Sequence, residues 1–492
     1  MRIANTVAAL WVAIIANAQW NFTVDSTFQT QIIQRNVNSL LLNEDGTLIA
    51  SGRMLFPGEW SEKTLAQLLP DGTRDETFSN SGQGGSTIKE WQPDRFYVAG
   101  NYNPRRIWRQ TGLIDASFAV GTNVVPYFTP VQGGDYHVYP DGSVLISGNH
   151  LLNDSIRGFM GWHQLIWFTN TGHLDTTRTH RTGGSCAIYR FKELPNGQFI
   201  CNGLCNQFNG EDIDRIFRVN ADGSVDTTFQ TGVYTGSVGG YLPLSDGRVY
   251  VAGNFRISQA PEDTLRLVRF TSSGELDPGF TIPVFSNGST PGVSGIYGSS
   301  VQHWLDGNLL VTGTFQFVNG QPRRGICLLD TNGAVLPAFA DNGVGPFTYM
   351  NYTYASIDHL VYDAANAKLY ICGAYNGYHD GINYYPEQNF ITRLNVEELN
   401  VAVQEEEPPN AQFRIHPNPT SDQVTFVFDL PSGGKAMIVI RDLAGKTIVS
   451  LDVSRNSDQI TWNSAGLAPG IYLVDLMNEG TVLKTEKLVI QR

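Results

Sequence analysis

No Cys-x-x-Cys pair occurs in this chain, and its five cysteines are an odd number. Zinc-ribbon and thioredoxin-like chemistry therefore lack a basis, and at least one thiol stays unpaired. Basic residues are scarce as well. The formal net charge is −13; with no basic stripe to neutralise phosphates, nucleic acid is not an expected partner, and docking on anionic lipid is disfavoured. No apolar run approaches the roughly 20 residues that a membrane-spanning helix needs. The signatures of zinc proteases, nucleophile-elbow hydrolases, P-loop enzymes and dinucleotide enzymes are all missing. The nine histidines are scattered. No catalytic residue and no cofactor are expected.

Glycine, by contrast, is abundant, at 51 of 492 residues, as a turn-rich all-β chain requires. These glycines punctuate a repeat. Its clearest copy reads Leu242-Pro-Leu-Ser-Asp-Gly-Arg-Val-Tyr-Val-Ala-Gly253, then a polar loop, Leu265-Arg-Leu-Val-Arg-Phe270, a Ser-Ser-Gly turn and Glu275-Leu-Asp-Pro-Gly-Phe280. Asp246-Gly247 and Ser273-Gly274 supply positive φ for tight turns, the first read as a two-residue hairpin. The unit is thus expected to form four short antiparallel strands, a to d. The glycine ending strand b recurs at Gly52, Gly100, Gly148, Gly203, Gly253, Gly313 and Gly373, at intervals of 48, 48, 55, 50, 60 and 60 residues. An Asp-x-x-Phe close recurs at Asp25/Phe28, Asp75/Phe78, Asp115/Phe118, Asp226/Phe229 and Asp277/Phe280, and is degraded around Asp175 and Phe339.

Four strands in a period of about 40–60 residues are the signature of a β-propeller, and seven copies predict seven blades. The seventh copy stops after strand c at Phe390–Asn395, while a spare Asp-x-x-Phe stands at 25–28. The N-terminal segment is therefore expected to complete the last blade, covering an edge that would otherwise recruit other chains. These units resemble the bacterial propeller repeats called delta-sixty repeats, most closely over Ala221-Asp-Gly-Ser-Val-Asp-Thr-Thr-Phe229. That resemblance covers most of residues 25–395 and implies a fold without a shared activity.

Before the repeats, Met1-Arg2, the apolar run Val7–Ile15 and Ala16-Asn17-Ala18 read as a signal peptide over residues 1–18, cut between Ala18 and Gln19. Among the cysteines, a two-residue turn at Asn196-Gly197 sets residue 188 opposite Cys205 and Cys186 diagonal to it, so a Cys186–Cys205 bridge requires the strand to bend. Cys327 and Cys372 sit in apolar strands and read as core thiols.

In such a blade the a–b and c–d turns share one face, and the b–c and d–a loops share the other. The second set is long and variable here, and binding residues concentrate on variable loops held by a rigid scaffold. Candidate ligand-binding residues on that face are Tyr102, Arg105, Trp162, His163, Tyr352, Tyr378, His379 and Tyr384, with Tyr349 and Tyr354 beside them. Structural packing competes with ligand contact at each aromatic. Glu211, Asp212 and Asp214 could hold a calcium ion, although their spacing matches no complete loop motif. The repeated Asp of Asp-x-x-Phe reads as a turn former, because a catalytic acid is needed only once.

After strand c of the seventh unit, Glu405-Glu-Glu-Pro-Pro409 marks an extended linker, taken as residues 397–410. Strands then alternate cleanly at Val424–Phe428, Ala436–Arg441, Thr447–Leu451, Gln459–Trp462, Gly470–Leu476 and Leu483–Ile490, which suits a small antiparallel β-sandwich. Phe413-Arg-Ile-His-Pro-Asn-Pro419, Asp442-Leu-Ala-Gly-Lys446, Leu467-Ala-Pro-Gly-Ile-Tyr-Leu473 and Lys487-Leu-Val-Ile490 make this segment similar to the type A C-terminal sorting domain of the type IX secretion system. The resemblance implies handling of residues 411–492 by that machinery, removal within the linker, and a secreted or cell-surface location on a diderm bacterium. The expected molecule is all-β: a seven-bladed propeller over residues 19–396, closed by its N-terminal strand, with no transmembrane segment in the mature chain. Its expected role is a binding module for a glycan or a surface protein. The alternative is an extracellular polysaccharide hydrolase with carboxylates on the long-loop face, drawn from separate blades.

Overall fold

The computed structural model describes residues 19–79, 82, 84–100, 103–118, 127–182, 186–287, 297–399, 412–428, 436–443, 445–453, 458–478 and 481–491. The expected signal peptide, Tyr102 and the Glu405–Pro409 linker lie outside them. The chain divides into two compact units, one within residues 17–400 and one within 401–492. Among the described residues there are strands and no helix, hence no helix long and apolar enough to cross a membrane.

Among the described residues of the larger unit, seven main antiparallel sheets follow one another along the chain, with small two- and three-stranded ribbons between them. The first three are built from Gln34–Leu42, Leu48–Leu55 and Lys63–Leu68; Ile88–Gln92, Arg95–Gly100 and Asn103–Trp108; and Phe128–Val138, Val144–Asp154 and Phe159–Phe168. The next three use Ile188–Glu193, Phe199–Gly203 and Ile216–Val219; Val233–Pro243, Val249–Ile257 and Ala260–Phe270; and Tyr297–His303, Leu309–Thr314 and Ile326–Leu329. The seventh contains Ser356–Asp363, Lys368–Asp380 and Tyr384–Leu399, and its outer edge pairs with Gln19–Val24, Phe22 opposite Val396.

Middle strands such as Leu309-Leu-Val311 are continuously apolar because both faces are buried. Leu309 and Val311 pack on Tyr250 and Leu267 of the fifth sheet. Leu310 packs on Ile357 and Ile371 of the seventh. Every consecutive pair of sheets shares such a cluster, and Tyr370, Cys372 and Ile391 of the seventh sheet share one with Val37, Leu40 and Ala50 of the first.

Two expectations about the repeat need correction. The Asp-Gly and Asn-Gly a–b turns are three-residue loops, with Asn43 N–H bonded to Thr47 O, Gly46 N–H to Asn43 O and Gly46 at φ 81°. Asp45 Oδ1 accepts from both the amide and the hydroxyl of Thr47, and this favours the longer loop over the two-residue hairpin. Strand d contracts to single bridges such as Phe270–Leu276 and Val219–Val225. Here the Asp of Asp-x-x-Phe diverts the chain into a turn: Asp226 Oδ1 accepts from Thr228 N–H and Oγ1–H.

That same Asp takes part in joining sheets. Asp226 Oδ2 accepts from Arg218 Nε at 2.8 Å, Arg218 Nη1 reaches Ser272 O of the next sheet, and the guanidinium lies 4.6 Å from the Phe229 ring centre. Arg106–Asp115–Phe118, Arg269–Asp277–Phe280 and Arg393–Asp25–Phe28 repeat the device, bonding to Asn170 O, Thr331 O and Pro70 O. Burial pushes these carboxyls up, but the Ser117 and Thr228 hydroxyls and amides, the Gly279 amide and the arginines outweigh it, holding Asp115, Asp226 and Asp277 down at about 2. A depressed folded-state pKa gives stability that is present above the ordinary carboxylate range and lost as pH falls toward 2. Arg218→Met is therefore expected to shallow the loss of stability between about pH 4 and pH 2 in acid titration of the melting temperature. An unchanged acid slope would argue against this assignment.

Cys186 and Cys205 form a disulfide, while Cys201, Cys327 and Cys372 are free and buried. The bend that the bridge needs is supplied by a register shift after Ile188, which faces Gly203 rather than Cys205.

The smaller unit is a two-sheet sandwich. Phe413–His416, Gln423–Phe428 and Gln459–Asn463 form one sheet, and Ala436–Arg441, Thr447–Val453, Gly470–Asn478 and Thr481–Ile490 form the other. Phe426, Ile438, Val474 and Leu488 fill the space between them.

Candidate functional site

The repeated glycines position a site that their turn chemistry alone does not reveal. The first strand of every sheet shifts register, and in six sheets a bulge lies opposite the strand-b glycine, falling between Val37 and Ser39, Gly133 and Tyr136, Ile188 and Arg190, Val238 and Gly240, Gly298 and Ser300, and Ile357 and His359. Opposite each bulge stands a strand-b glycine: Val37 faces Gly52, Gly298 faces Gly313 and Ile357 faces Gly373. A Cβ on those glycines would fall on the carbonyl oxygens of Asn36, Tyr297 and Ser356. Only glycine lets the bulged backbone come so close.

A bulge re-aims its extra residue. Here Asn38, Asp135, Gly239, Ser299 and Asp358 all line one cavity of about 520 Å³, together with Lys89, Arg190, Lys192, Tyr241, Tyr297 and His359. The first strands of all seven sheets contribute to it.

Its charges are unevenly partnered. Lys89 Nζ lies 3.6 Å from Asp135 Oδ1. The Arg190 and Lys192 side chains make no hydrogen bond or ion pair among the described residues. Burial and the nearby Lys89 charge lower the Lys192 pKa. Asp358 is pushed up to about 6 by burial, against the Ser356 and Ser299 hydroxyls and the Arg190 charge. His359 Nδ1 accepts from Leu40 N–H at 3.3 Å, which leaves the ring proton on Nε2; burial and Lys89 hold its pKa down at about 4. The Tyr241 hydroxyl is buried without a hydrogen-bond partner.

Asp358 also borders a second cavity of about 240 Å³ with Arg35, Phe347, Tyr349 and Tyr354. Phe347–Tyr349 and Tyr352–Tyr354 form a hairpin there, and the Arg35 guanidinium sits 4.5 Å from the Tyr349 ring centre.

The residues expected to bind ligand are dispersed. Tyr378, His379 and Tyr384 share one hairpin of the seventh sheet, His379 paired with Tyr384. Tyr378 is wholly buried in a core cluster, whereas Tyr384 is exposed. Trp162 is exposed at the end of the third sheet's hairpin, beside a buried His163 whose Nδ1 contacts Gly161 O at 3.0 Å. Arg105, its pKa lowered by burial, stands in the second sheet. Tyr352 is exposed on the aromatic hairpin beside the smaller cavity. None of these seven lines the larger cavity. Glu211 and Asp212 lie on a short hairpin, and the Asp214 carboxylate accepts from the amides of Thr231 and Gly232. Among the described residues no group of three or more His, Cys, Asp or Glu could hold a metal ion.

In the smaller unit, the sequence motifs interlock. Asn418, between two cis prolines, accepts from Val489 N–H at 2.8 Å and donates to Lys487 O. Thr420 N–H then bonds to Val489 O at 2.9 Å. The His-Pro-Asn-Pro segment is thus held against the Lys487–Ile490 strand. Asp442 closes its turn by accepting from Lys446 N–H at 2.9 Å.

A family model described as a secretion system C-terminal sorting domain matches residues 414–491, the stretch that these contacts organise. The chain ends in a type IX sorting domain. A second model, a domain of unknown function (DUF5122) of β-propeller type, matches residues 203–229, 244–280 and 305–339. The larger unit is accordingly a β-propeller, and the sorting domain marks the chain for secretion or the cell surface.

No curated protein matches the chain. Among solved structures, the extracellular domain of a one-component system from Bacteroides thetaiotaomicron is 12% identical with a TM-score of 0.38; the match covers 97% of this chain and 58% of that one. A computationally designed protein, Ika8, is 9% identical with a TM-score of 0.40, over 75% of this chain and 99% of its own. Regucalcin from Agrobacterium tumefaciens, a calcium-binding protein, is 12% identical with a TM-score of 0.32, over 60% of this chain and 85% of its own. At these scores the likenesses carry no argument about ligand or activity.

Proposed function

We propose that the mature protein is a secreted or cell-surface binding module that takes a glycan in the cavity lined by its first strands. In this reading the seven sheets are blades of a closed propeller, completed by Gln19–Val24. Residues 1–18 are the signal peptide, 19–396 the propeller, 397–410 the linker and 411–492 the sorting domain addressed to the type IX machinery. The observation that carries the binding role is the cavity itself. It is lined by hydroxyl, amide and charged groups and retains an unpartnered Arg190 and an unpartnered Tyr241 hydroxyl. A buried hydroxyl without a partner, such as that of Tyr241, is costly, and a polyhydroxylated ligand would satisfy it.

Hydrolysis is the competing reading, and one observation favours it: Asp358 is held near 6, a value suited to a general acid. The second carboxylate of the cavity, Asp135, is paired with Lys89, which weakens it as the partner base. The full mature chain is expected to bind on a glycan array and to release no reducing sugar from the glycans it binds. Sugar release that disappears in Asp358→Asn would decide for the hydrolase.

A further inference from the structure

We propose that the larger cavity selects an acidic sugar, binding the carboxylate of a hexuronate through Arg190 and Lys192 and its hydroxyls through Tyr241 and Asp358. This deepens the glycan reading and depends on it.

The argument starts from charge. The cavity brings together Lys89, Arg190 and Lys192 with only two carboxyl groups, Asp135 and Asp358. The Lys89–Asp135 pair accounts for one of each sign. What remains is cationic by one charge, in a molecule whose net charge is −13. Such a local reversal of sign attracts an anion.

Shape and chemistry narrow the anion. Arg190 presents a planar donor fork matched to a carboxylate. A volume of about 520 Å³ suits a mono- or disaccharide far better than a lone inorganic ion. The remaining groups are those that bind vicinal hydroxyls: a phenol without a partner, a carboxyl that can accept, and a neutral histidine with its proton on Nε2. The aromatic hairpin beside Asp358, with Tyr354 partly exposed, offers a ring face on which a further sugar can stack.

Calorimetric titration of the full mature chain with glucuronate, glucose, acetate and a glucuronate-terminated disaccharide tests the proposal. Glucuronate should bind, glucose about 10- to 100-fold more weakly, as expected for loss of a charge-assisted hydrogen bond, and acetate not measurably. A gain for the disaccharide over the monosaccharide would assign the site to chain ends; equal affinity would assign it to the free sugar. Arg190→Met should lower glucuronate affinity by a similar factor and glucose affinity far less, and Arg190→Lys should recover part of the glucuronate loss. Melting curves of both variants should shift only slightly from wild type, because Arg190 makes no internal hydrogen bond or ion pair among the described residues and acts on Asp358 through its charge alone. Equal binding of glucose and glucuronate, or full affinity in Arg190→Met, would overturn the acidic-sugar assignment and leave the glycan reading standing. Acetate binding as tightly as glucuronate would reduce the site to a simple anion hole. Absence of binding to every sugar here and across an array would remove both readings.

Discussion

Gly373→Ala is expected to destabilise the larger unit by about 3 kcal/mol, at the upper end of overpacking penalties. The added Cβ would lie 2.8 Å from Ser356 C and 3.1 Å from Ile357 Cα, besides meeting the Ser356 carbonyl oxygen. These are backbone atoms of the bulge that aims Asp358 into the cavity, so no side-chain rotation relieves the clash. Gly373 is not among the positive-φ glycines. Its cost is therefore steric. Gly197→Ala is the useful contrast: nothing lies within 4 Å of its Cβ, and φ is +80°. There alanine should cost only the roughly 1–2 kcal/mol of left-handed strain. Urea melts of both variants separate the two effects. Equal midpoints would refute the role given to the strand-b glycines.

Removing residues 19–28 from the mature chain should have the larger effect. Three losses coincide. The outer edge of Tyr384–Leu399 loses its partner strand over six register pairs. Phe28, buried against Tyr370 and Ile391, leaves a void that costs about 3–5 kcal/mol. Arg393, held by Asp25 at 2.9 Å with its side chain 10% exposed, becomes a buried charge without a carboxylate, costing about 3–5 kcal/mol more. Together these approach the whole stability of an ordinary domain, roughly 5–15 kcal/mol. The truncated protein should elute as aggregate, through its bare strand edge, and melt without a cooperative transition. A monomer with an unchanged melting curve would show that the N-terminal segment is dispensable, and the proposed closure would fall with it.

What the sequence makes legible follows from how local each signal is. Asp-Gly turns, continuous apolar middle strands and Asp-x-x-Phe closes are short-range patterns, and they locate the sheets correctly. The spare copy at Asp25–Phe28 correctly places the N-terminal segment beside the last sheet, where Asp25 N–H bonds to Arg393 O as Asp277 N–H bonds to Arg269 O. The six strands expected in the sandwich are found within a few residues, and Phe413–His416 adds a seventh, too short to carry an alternating pattern. The cavity is harder to read because its residues come from the least repetitive strand of each unit. Bulges break the alternation that would have assigned Asp135, Arg190 or Asp358 to a face. A charged residue two or three positions beyond the backbone carbonyl that packs on a repeat glycine is the signal that could have found them, but only once the pairing register is known. The loop aromatics are the locally conspicuous residues, and Tyr378 illustrates the hazard: it lies on a variable hairpin, yet its ring belongs to the core.

The arginine stitches have a mechanical consequence. Four joints carry them, reaching Pro70, Asn170, Ser272 and Thr331. Where the same position holds Gln67, Trp167 or Leu328, the neighbouring carbonyl loses that clamp. Between the third and fourth sheets Arg181 substitutes by gripping Asp222. The first-to-second and sixth-to-seventh joints rely instead on apolar packing and on contacts such as Arg109 with Asn43 and Trp20 with Asp306. Stiffness is thus distributed unevenly around a nominally repetitive scaffold, and the two seams where, among the described residues, no arginine grips a backbone carbonyl of the neighbouring sheet are its natural points of compliance.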